Sequence, residues 1–473
     1  MAITLCCMGL TGCQFVANDG GSSAQGETLK KLGKDEKASI KVLYYDKSSF
    51  FQQYGNLFMA KYPNIEVSVV SMNSVYAGDG TDPKKAYQKL LDEEKPDVLL
   101  YMSPDEFQTA AEEGKLLELD GLIQQDKFDL NNILESVTGS IRAKGGGKLY
   151  GLSPTFYSQA LFYNKDLFEK HGVPLPTNKM TWEEVLQLAK RFPANGPDNE
   201  RVYGLGVNSM GPSGAYYMMN NIATTQGMSY VDADKGVLTI QSDGWKKVLE
   251  LTVDAYHSKA VLSEDPMAFD SNKPMTMADF ALRNPFIAGK AAMTIGNTYT
   301  FTELERAKDV KNVTPVNWDL VTVPVDPQNR EVSGAVSVSN LFAVNAQSAE
   351  KRAAWEFIKY INGEEMARLM KNIDQGGMSS RTAYVKEREG RSLEPFYMLK
   401  MNETSLYKGM EKLPQDFYMQ FTQLATTEIQ AVIDNKKTAD EALKVIQEQG
   451  QEILNRTKKE QEEKQAKEAS APK

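Results

Sequence analysis

The chain of 473 residues is long enough to bury more than one hydrophobic core, and its 41% hydrophobic and 25% charged residues are ordinary for a globular protein. Its net charge of −9 argues against a nucleic-acid backbone as the partner, because phosphate binding requires clustered lysine and arginine. No apolar run reaches the roughly 18 residues that a membrane-spanning helix requires.

The first segment contains all three cysteines of the chain, Cys6, Cys7 and Cys13. Its opening "MAITLCCMGL" is uncharged and mostly apolar, so we expect residues 1–12 to form a signal peptide. The following "LTGC" resembles the bacterial lipobox, in which a diacylglyceryl group alkylates the cysteine thiol. We therefore predict that Cys13 is lipidated and that residues 13–38, which are rich in Gly, Ser and Lys, form a flexible tether. A chance apolar start with a buried cysteine is the alternative.

The next part of the chain alternates between strand and helix patterns. "ASIKVLYYDKSS" alternates apolar and polar residues through Ile40, Val42 and Tyr44, which predicts a strand. "YGNLFMAKYPNIEVSVVSM" predicts a helix, a break and a second strand. "PDVLLYMSPDEF" predicts a buried strand followed by the start of a helix.

This alternation predicts the α/β class with a largely parallel sheet. In such sheets, ligands bind beyond the carboxyl ends of the strands. That rule directs attention to five residues that end or follow predicted strands, which are Tyr45, Asp46, Tyr101, Ser103 and Asp105.

The segment "TWEEVLQLAKRF" predicts a capped amphipathic helix. Thr181 is a favourable N-cap residue, and Glu184 lies three residues later, as in a capping box. Trp182, Val185 and Phe192 recur at helical spacing and form part of one apolar face.

Two further signals could indicate metal binding, and neither is convincing. The histidines His171 and His257 are far apart, which leaves little material for a zinc site or a catalytic triad. "VDADKGVLTIQSDGW" begins like a calcium loop but lacks Gly at the sixth position and Glu at the twelfth, so we predict a hairpin turn there. We expect no cofactor and no metal.

A series of segments in a fixed order resembles the family-1 extracellular solute-binding proteins of bacterial ABC importers, which include sugar-binding proteins. The segments are "LFYNKDLFEKHGVPLP", "TWEEVLQLAK", "FIAGKAAMTIGNTYT", "WDLVTVPVDP", "AAWEFIKYINGEEMARLM" and "DNKKTADEALKVIQEQGQEIL". Their joint order is more specific than any one of them, and the resemblance covers nearly all of residues 39–457.

The resemblance implies a two-lobed α/β fold, in which each lobe has a mostly parallel sheet flanked by helices and a multi-strand hinge joins the lobes. Lobe 1 is expected at 39–154 plus 325–375, and lobe 2 at 155–324 plus 376–457. Pro154 and Pro324 suit crossings of the hinge, because proline favours extended neighbours. The charged segment 458–473 is predicted to be a disordered tail.

The resemblance also implies positions for the ligand-binding cleft. Aromatic rings would cover the apolar faces of a sugar, while carboxylates, amides and guanidinium groups would bind its hydroxyls. The candidates are Asp46, Lys47, Tyr101, Asp105, Tyr157, Tyr217, Asn297, Tyr299 and Arg381. Each tyrosine could instead be an ordinary core or surface residue, since the chain has 21 of them. The use of tyrosine rather than tryptophan argues against a maltodextrin-like ligand.

The implied function is that of a protein lipid-anchored to the extracytoplasmic face of the cell membrane. It would capture a mono- or oligosaccharide without catalysis, as a monomer, and deliver it to the permease subunits of an ABC transporter. Two alternatives remain open. One is a secreted, lipid-anchored carbohydrate-active enzyme that uses two carboxylates. The other is a ligand sensor that passes its closed state to a membrane receptor.

Overall fold

The computed structural model of the protein describes residues 28–33, 35–76, 83–195, 197, 201–207, 213–262, 282–311, 313–371, 377–402 and 410–470. The strands among them are β1 Ala38–Tyr44, β2 Ile65–Ser71, β3 Val98–Tyr101, β4 Gly151–Leu152, β5 Thr155–Tyr157, β6 Ala160–Asn164, β7 Tyr203–Gly206, β8 Val231–Asp232, β9 Val237–Leu238, β10 Val261–Leu262, β11 Ala291–Gly296, β12 Trp318–Thr322, β13 Val332–Ser333, β14 Ser337–Val338, β15 Leu341–Val344, β16 Met378–Ser379, β17 Glu387–Arg388, β18 Arg391–Ser392 and β19 Lys400–Met401. The helices are α1 Lys47–Phe50, α2 Asn56–Lys61, α3 Pro83–Glu94, α4 Pro104–Glu112, α5 Asp120–Asp126, α6 Glu135–Lys144, α7 Lys165–His171, α8 Trp182–Ala189, α9 Gly214–Thr225, α10 Asp243–His257, α11 Tyr299–Lys308, α12 Lys351–Ile361, α13 Glu364–Met370, α14 Gln415–Ile433 and α15 Ala439–Ser470. Short 3-10 or π turns cover Phe51–Gly55, Met72–Tyr76, Thr382–Tyr384, Glu394–Phe396 and Met410–Lys412.

Lobe 1 is built on a sheet with the strand order β2-β1-β3-β15-β4. Ile40 and Val42 of β1 are buried while Lys41 between them is exposed, as the alternating sequence predicts. The four residues of β3 are all buried, which suits a central strand covered by helices on both faces. Both sequence predictions for these strands are confirmed.

Lobe 2 is built on a second sheet, with the strand order β10-β7-β11-β6-β12. Alternate residues of β6 face two different cores, because successive side chains of a strand point to opposite faces. Phe162 contacts the rings of Phe301 and Trp318, whereas Leu161 and Tyr163 belong to a separate hydrophobic cluster. The sheet is therefore buried on both faces at this strand.

The two sheets share one pattern of strand directions. In each sheet four strands run the same way and the strand in the fourth place is reversed. The reversed strands are β15 and β6, and each directly follows a short strand that enters from the connection between the lobes. The predicted fold class, two mostly parallel α/β lobes joined by several strands, is confirmed.

The connection between the lobes is a small antiparallel sheet with the order β14-β5-β16. Phe156 at its centre pairs with Val338 on one side and with Met378 on the other. Phe156 is also fully buried. These three short strands form the multi-strand hinge that the sequence predicts.

The second crossing lies at Ser337–Val338, later in the chain than the expected position at Pro324. The reason is that Val323 and Val325 pack in a small cluster with Leu399, and the Val325 N–H donates to the Met180 carbonyl at 2.9 Å. The chain therefore stays with lobe 2 through this segment. The predicted boundary at 375/376 lies outside the described residues, and β16 follows it.

The last part of the predicted tether lies against lobe 1. The Leu29 N–H donates to Gln125 Oε1 at 3.2 Å, and Gln125 Nε2 donates back to the Leu29 carbonyl at 2.8 Å. Lys31 Nζ lies 3.6 Å from Asp126 Oδ1. Residues 28–33 of the predicted tether are thus bound to lobe 1 at the end of α5.

The predicted signal peptide and Cys13 lie outside the described residues.

The charged segment after residue 457 is helical through residue 470, which differs from the predicted disordered tail. It continues α15, whose earlier residues Ile446 and Leu454 are buried. Ion pairs at i,i+4 spacing, Arg456–Glu460 and Lys459–Glu463, extend along the exposed face, each at 3.9 Å. Such pairs favour helix in a polar sequence that has no core of its own.

Two local predictions are confirmed. The Thr181 N–H donates to Glu184 Oε2 at 2.7 Å and the Glu184 N–H donates to Thr181 Oγ1 at 3.2 Å, which completes the capping box of α8. The predicted hairpin is the antiparallel pair β8 and β9.

Within the described ranges, no helix has both the length and the apolar character needed to cross a membrane.

Candidate ligand-binding cleft

A cleft of about 1150 Å³ lies between the lobes. It opens beyond the carboxyl ends of β3, β7 and β11, where ligand sites form in sheets of this kind. Its lining includes Met102, Ser103, Asp105, Glu106 and Lys144 from lobe 1, Tyr157, Gln159, Ser337 and Val338 at or beside the hinge, and Trp182, Gly206, Tyr217, Asn221, Asn297, Tyr299 and Glu303 from lobe 2.

The lobe 1 wall is set by the turn from β3 into α4. Ser103 caps α4 by accepting a hydrogen bond from the Glu106 N–H at 3.4 Å, and this places Asp105 in the first turn. Lys144 Nζ, at the end of α6, lies 2.5 Å from Asp105 Oδ1 and 3.2 Å from Gln108 Oε1. This wall therefore presents a carboxylate and an ammonium that are already paired.

The lobe 2 wall presents two tyrosine rings. Tyr217 lies in the first turn of α9 and Tyr299 begins α11, and their exposed fractions are 48% and 55%. Asn297 Oδ1 accepts the Tyr299 N–H at 2.9 Å, which satisfies one free donor at the start of α11. Two exposed aromatic rings in a concave site offer apolar surface that a ligand can cover.

Each of these tyrosines is followed one helical turn later by a polar residue that also lines the cleft. Asn221 follows Tyr217, and Glu303 follows Tyr299, in both cases at i,i+4 spacing. Residues at this spacing share a face of a helix. Each helix therefore offers a ring and a hydrogen-bonding group side by side.

Glu303 is a half-buried carboxylate of the cleft lining, and its pKa is raised above its ordinary value. Asn284 Nδ2 donates to Glu303 Oε2 at 2.8 Å. Burial raises the pKa of Glu303, while the Asn284 hydrogen bond and the charge of Arg306 act in the opposite direction. A half-buried carboxylate of this kind favours a ligand that supplies hydrogen-bond donors.

Trp182 forms part of the floor of the cleft, although it is only 7% exposed. Its indole Nε1 donates to Thr225 Oγ1 at 3.0 Å, which fixes the ring at the start of α8. The exposed Met102, on the opposite lobe, adds an apolar surface that is 41% exposed.

The structure brings five of the nine predicted residues to the cleft lining, and these are Asp105, Tyr157, Tyr217, Asn297 and Tyr299. They come from both lobes and from the hinge strand β5. Whether they bind a ligand stays a prediction, but their shared location is now established.

The other four predicted residues lie outside the lining. Tyr101 is 5% exposed and packs edge-to-face on Phe107, with ring centroids 5.9 Å apart, so its neighbour Met102 faces the cleft instead. Asp46 caps α1 by accepting the Ser49 N–H at 2.9 Å, and Lys47 is an exposed residue of that helix.

Arg381 is buried within lobe 1. Its Nε donates to the Asn362 carbonyl at 2.7 Å and its Nη2 to the Asp129 carbonyl at 2.8 Å, and the guanidinium carbon lies 5.3 Å from the centre of the Phe128 ring. These contacts keep its side chain away from the cleft.

The sequence interpretation missed Met102, Lys144, Asn221 and Glu303. Helical spacing from Tyr217 and Tyr299 could have identified Asn221 and Glu303, because one turn separates each pair. No comparable signal pointed to Lys144, because it lies on α6, far along the chain from its partner Asp105 on α4.

Among the residues that the structure describes, no group of three His, Cys, Asp or Glu side chains could hold a metal ion.

Three known proteins are similar to this chain. A mannitol-binding protein of Pseudomonas aeruginosa is 23% identical over 218 residues, which covers 44% of this chain and 48% of that protein. The chain thus spans about half the length of the curated relatives it matches. The structure of a sugar transporter from Rhizobium etli, in an open conformation, has a TM-score of 0.59 and 21% identity, with 88% of this chain and 99% of that chain covered. An ABC substrate-binding protein from Listeria monocytogenes in complex with cycloalternan has a TM-score of 0.56 and 19% identity, with 89% and 100% covered.

The family comparison covers a longer part of the chain. Residues 43–368 match the family described as bacterial extracellular solute-binding protein. That range includes the lobe 2 sheet, the lobe 1 sheet except for most of β1, the first two hinge strands and most of the cleft lining. Because the match covers more than half of the chain, this protein belongs to the bacterial extracellular solute-binding protein family.

Proposed function

We propose that the protein captures a saccharide-type solute in the cleft between its lobes and delivers it, chemically unchanged, to the permease of an ABC transporter. The observation that carries this proposal is the pair of exposed rings, Tyr217 and Tyr299, each with a polar partner one turn later. Sugar rings have apolar C–H faces and hydroxyl edges, so a ring beside a hydrogen-bonding group suits both parts of the ligand.

The size of the cleft supports a ligand in the range from a monosaccharide to an oligosaccharide. Its volume of about 1150 Å³ exceeds the range of roughly 300–1,000 Å³ that is common for small-molecule pockets. Part of this volume would be lost if the lobes closed around a ligand.

The names of similar proteins support the same class of solute. The relative from Pseudomonas aeruginosa is named for mannitol, and the Listeria monocytogenes structure contains cycloalternan. Both are polyhydroxylated and uncharged molecules. The matching family is described as solute-binding and the Listeria monocytogenes structure as a substrate-binding protein, which favours binding without catalysis over the enzyme alternative.

The hinge suggests how binding would be communicated. Three short strands, β5, β14 and β16, connect the lobes, and the cleft lining draws on both sides. A ligand that contacts both lobes binds the closed form better and shifts the population toward it. The permease would then recognise the closed form.

We also propose that a lipid at Cys13 holds the protein at the extracytoplasmic face of the membrane. Membrane attachment would raise the concentration of the binding protein beside its transporter. The support is the lipobox-like sequence before Cys13 and the polar segment after it.

A melting-temperature screen of purified protein against neutral mono-, di- and trisaccharides and polyols tests this function. A ligand that binds only the native state raises the melting temperature, so we expect a shift for one class of saccharide. The same mixtures are then analysed for reaction products. Product formation would favour the enzyme alternative, and the absence of a shift with every saccharide would contradict the proposed solute class.

A further inference from the structure

Among the described residues that line the cleft, negatively charged groups outnumber positively charged ones. Among the described residues, three carboxylates line it, from Asp105, Glu106 and Glu303, against one ammonium, from Lys144. A concave site lined mostly by one sign of charge repels ligands of that sign, because its low-dielectric walls focus the field of those charges.

The one cationic side chain of this lining is already engaged within the protein. Lys144 Nζ contacts Asp105 Oδ1 at 2.5 Å and Gln108 Oε1 at 3.2 Å. A ligand carboxylate or phosphate would have to compete with Asp105 for this ammonium. The pairing therefore makes the Lys144 ammonium less available to an acidic ligand.

Glu303 lies on the opposite wall, beside the exposed ring of Tyr299. Asn284 occupies its Oε2, and none of the described residues donates a hydrogen bond to Oε1. Arg306, one turn further along α11, is the basic group whose charge acts on this carboxylate. Hydroxyl and ammonium groups can donate to Oε1, whereas a ligand carboxylate can only accept and would leave both charges unsatisfied.

We propose that the cleft selects neutral and aminated saccharides against acidic ones, and that Glu303 is the residue that determines this specificity. The inference rests on the proposed function and deepens it, since it names the charge class of the saccharide. Uronic acids and sugar phosphates belong to the excluded class.

The test uses the neutral saccharide that gives the largest melting shift in the screen, together with three derivatives at its primary hydroxyl. These are the C6-carboxylate, the C6-carboxamide and the 6-amino-6-deoxy sugar. The carboxylate and the carboxamide have almost the same shape, but the carboxylate is charged and only accepts hydrogen bonds, whereas the carboxamide is neutral and also donates them. Titration calorimetry measures their affinities for the wild-type protein, for E303Q and for E305Q. Glu305 lies on the same helix but outside the cleft lining, so E305Q is the matched control.

We expect the wild-type protein to bind the carboxamide at least about tenfold more tightly than the carboxylate, because like charges in a shielded cleft repel. The amino sugar should bind at least as tightly as the carboxamide. E303Q should reduce the carboxamide-to-carboxylate ratio several-fold, and E305Q should leave the ratio at its wild-type value.

Three results would overturn the inference. Equal or tighter binding of the carboxylate would contradict selection against acidic saccharides, while the proposed function would stand. An unchanged ratio in E303Q would contradict the role of Glu303. If no saccharide in the screen binds, the proposed function fails and this inference fails with it.

Discussion

At the scale of single residues, Tyr217 and Tyr299 are large side chains that the fold leaves exposed in the cleft instead of in a core. Both rings are about half exposed, and both line the cleft. Their burial would contribute to the free energy of ligand binding rather than to the free energy of folding.

The first prediction concerns these two rings. Replacing Tyr217 or Tyr299 with Ala should weaken binding of the saccharide by about 1–3 kcal/mol, because a stacked aromatic ring loses its buried apolar area. Titration calorimetry measures the loss. Tyr299→Phe keeps the ring and is the control, and it should retain most of the affinity. A Tyr299→Ala protein with wild-type affinity would show that the ring does not contact the ligand.

Arg381 shows the opposite case, a polar residue that supports the fold instead of the ligand. Its guanidinium is buried and donates to the carbonyls of Asn362 and Asp129. Removal of such a group leaves buried acceptors without their donor, which is costly.

The second prediction follows from these contacts. Arg381→Met should lower the free energy of unfolding by about 2–4 kcal/mol. Under conditions where the variant protein is folded, its affinity for the saccharide should equal that of the wild-type protein. Urea denaturation measures the change. Arg368→Met, whose side chain is 66% exposed, is the control and should change stability by less than about 0.5 kcal/mol. A loss of affinity with unchanged stability would instead place Arg381 in ligand binding.

At the scale of elements, Asp126 joins the end of α5 to one face of α12. Its Oδ2 accepts hydrogen bonds from Arg352 at 2.6 Å, Lys359 at 2.8 Å and Trp355 Nε1 at 3.0 Å. Burial alone would raise the pKa of Asp126, but these hydrogen bonds outweigh it and hold the pKa well below its ordinary value of 3.8.

The third prediction concerns the pH dependence of this junction. Because the pKa is lower in the folded state, the ionised carboxylate stabilises the fold above about pH 4, and this contribution is lost as the pH falls further. Asp126→Asn should therefore lower the free energy of unfolding at pH 7 by on the order of 3 kcal/mol, and by less at pH 3. Urea denaturation at both values measures the difference, with Asp92→Asn on the exposed face of α3 as the control. An equal loss at both pH values would mean that ionisation of Asp126 is not the cause.

The elements also show which parts of the site could be predicted from sequence. The strand β3, the capping box of α8 and the hairpin of β8 and β9 follow from local periodicity and turn chemistry, and all three were predicted correctly. The residue at the end of β3 that faces the cleft was not predicted correctly, because it is Met102, directly after the strand, and not Tyr101. Tyr101 and Met102 are adjacent, and only the packing of Phe107 against Tyr101 decides which one is buried.

At the scale of the whole molecule, lobe 1 is the lobe through which the proposed lipid anchor would connect to the folded protein. Residues 28–33 contact α5 through Leu29 and Lys31, so the predicted tether would join the folded protein at this lobe and not at the hinge. If Cys13 is lipidated, the anchored segment is attached to the molecule at lobe 1.

The fourth prediction tests the anchor. Cys13→Ser should move the protein from the membrane fraction to the released fraction, because it removes the thiol that the lipid would modify. Fractionation of the producing cells, followed by immunoblotting, measures the distribution. Cys7→Ser is the matched control and should leave the protein in the membrane fraction. Retention of the Cys13→Ser protein in that fraction would contradict lipidation at this position.

The sequence by itself determined β1 to β3, the capped helix α8 and the α/β class, because periodicity and caps are encoded locally along the chain. The two-lobed architecture and the family followed from the resemblance of a series of ordered segments to a known family. The tertiary structure alone decided where the second hinge strand lies, that Arg381 is buried, and that Glu303 and Lys144 reach the cleft. These features depend on contacts between residues far apart in sequence, such as Arg381 with Asp129 and Val338 with Phe156. A local pattern carries no information about which distant segment a side chain will meet, so these parts of the site could be identified only from the tertiary structure.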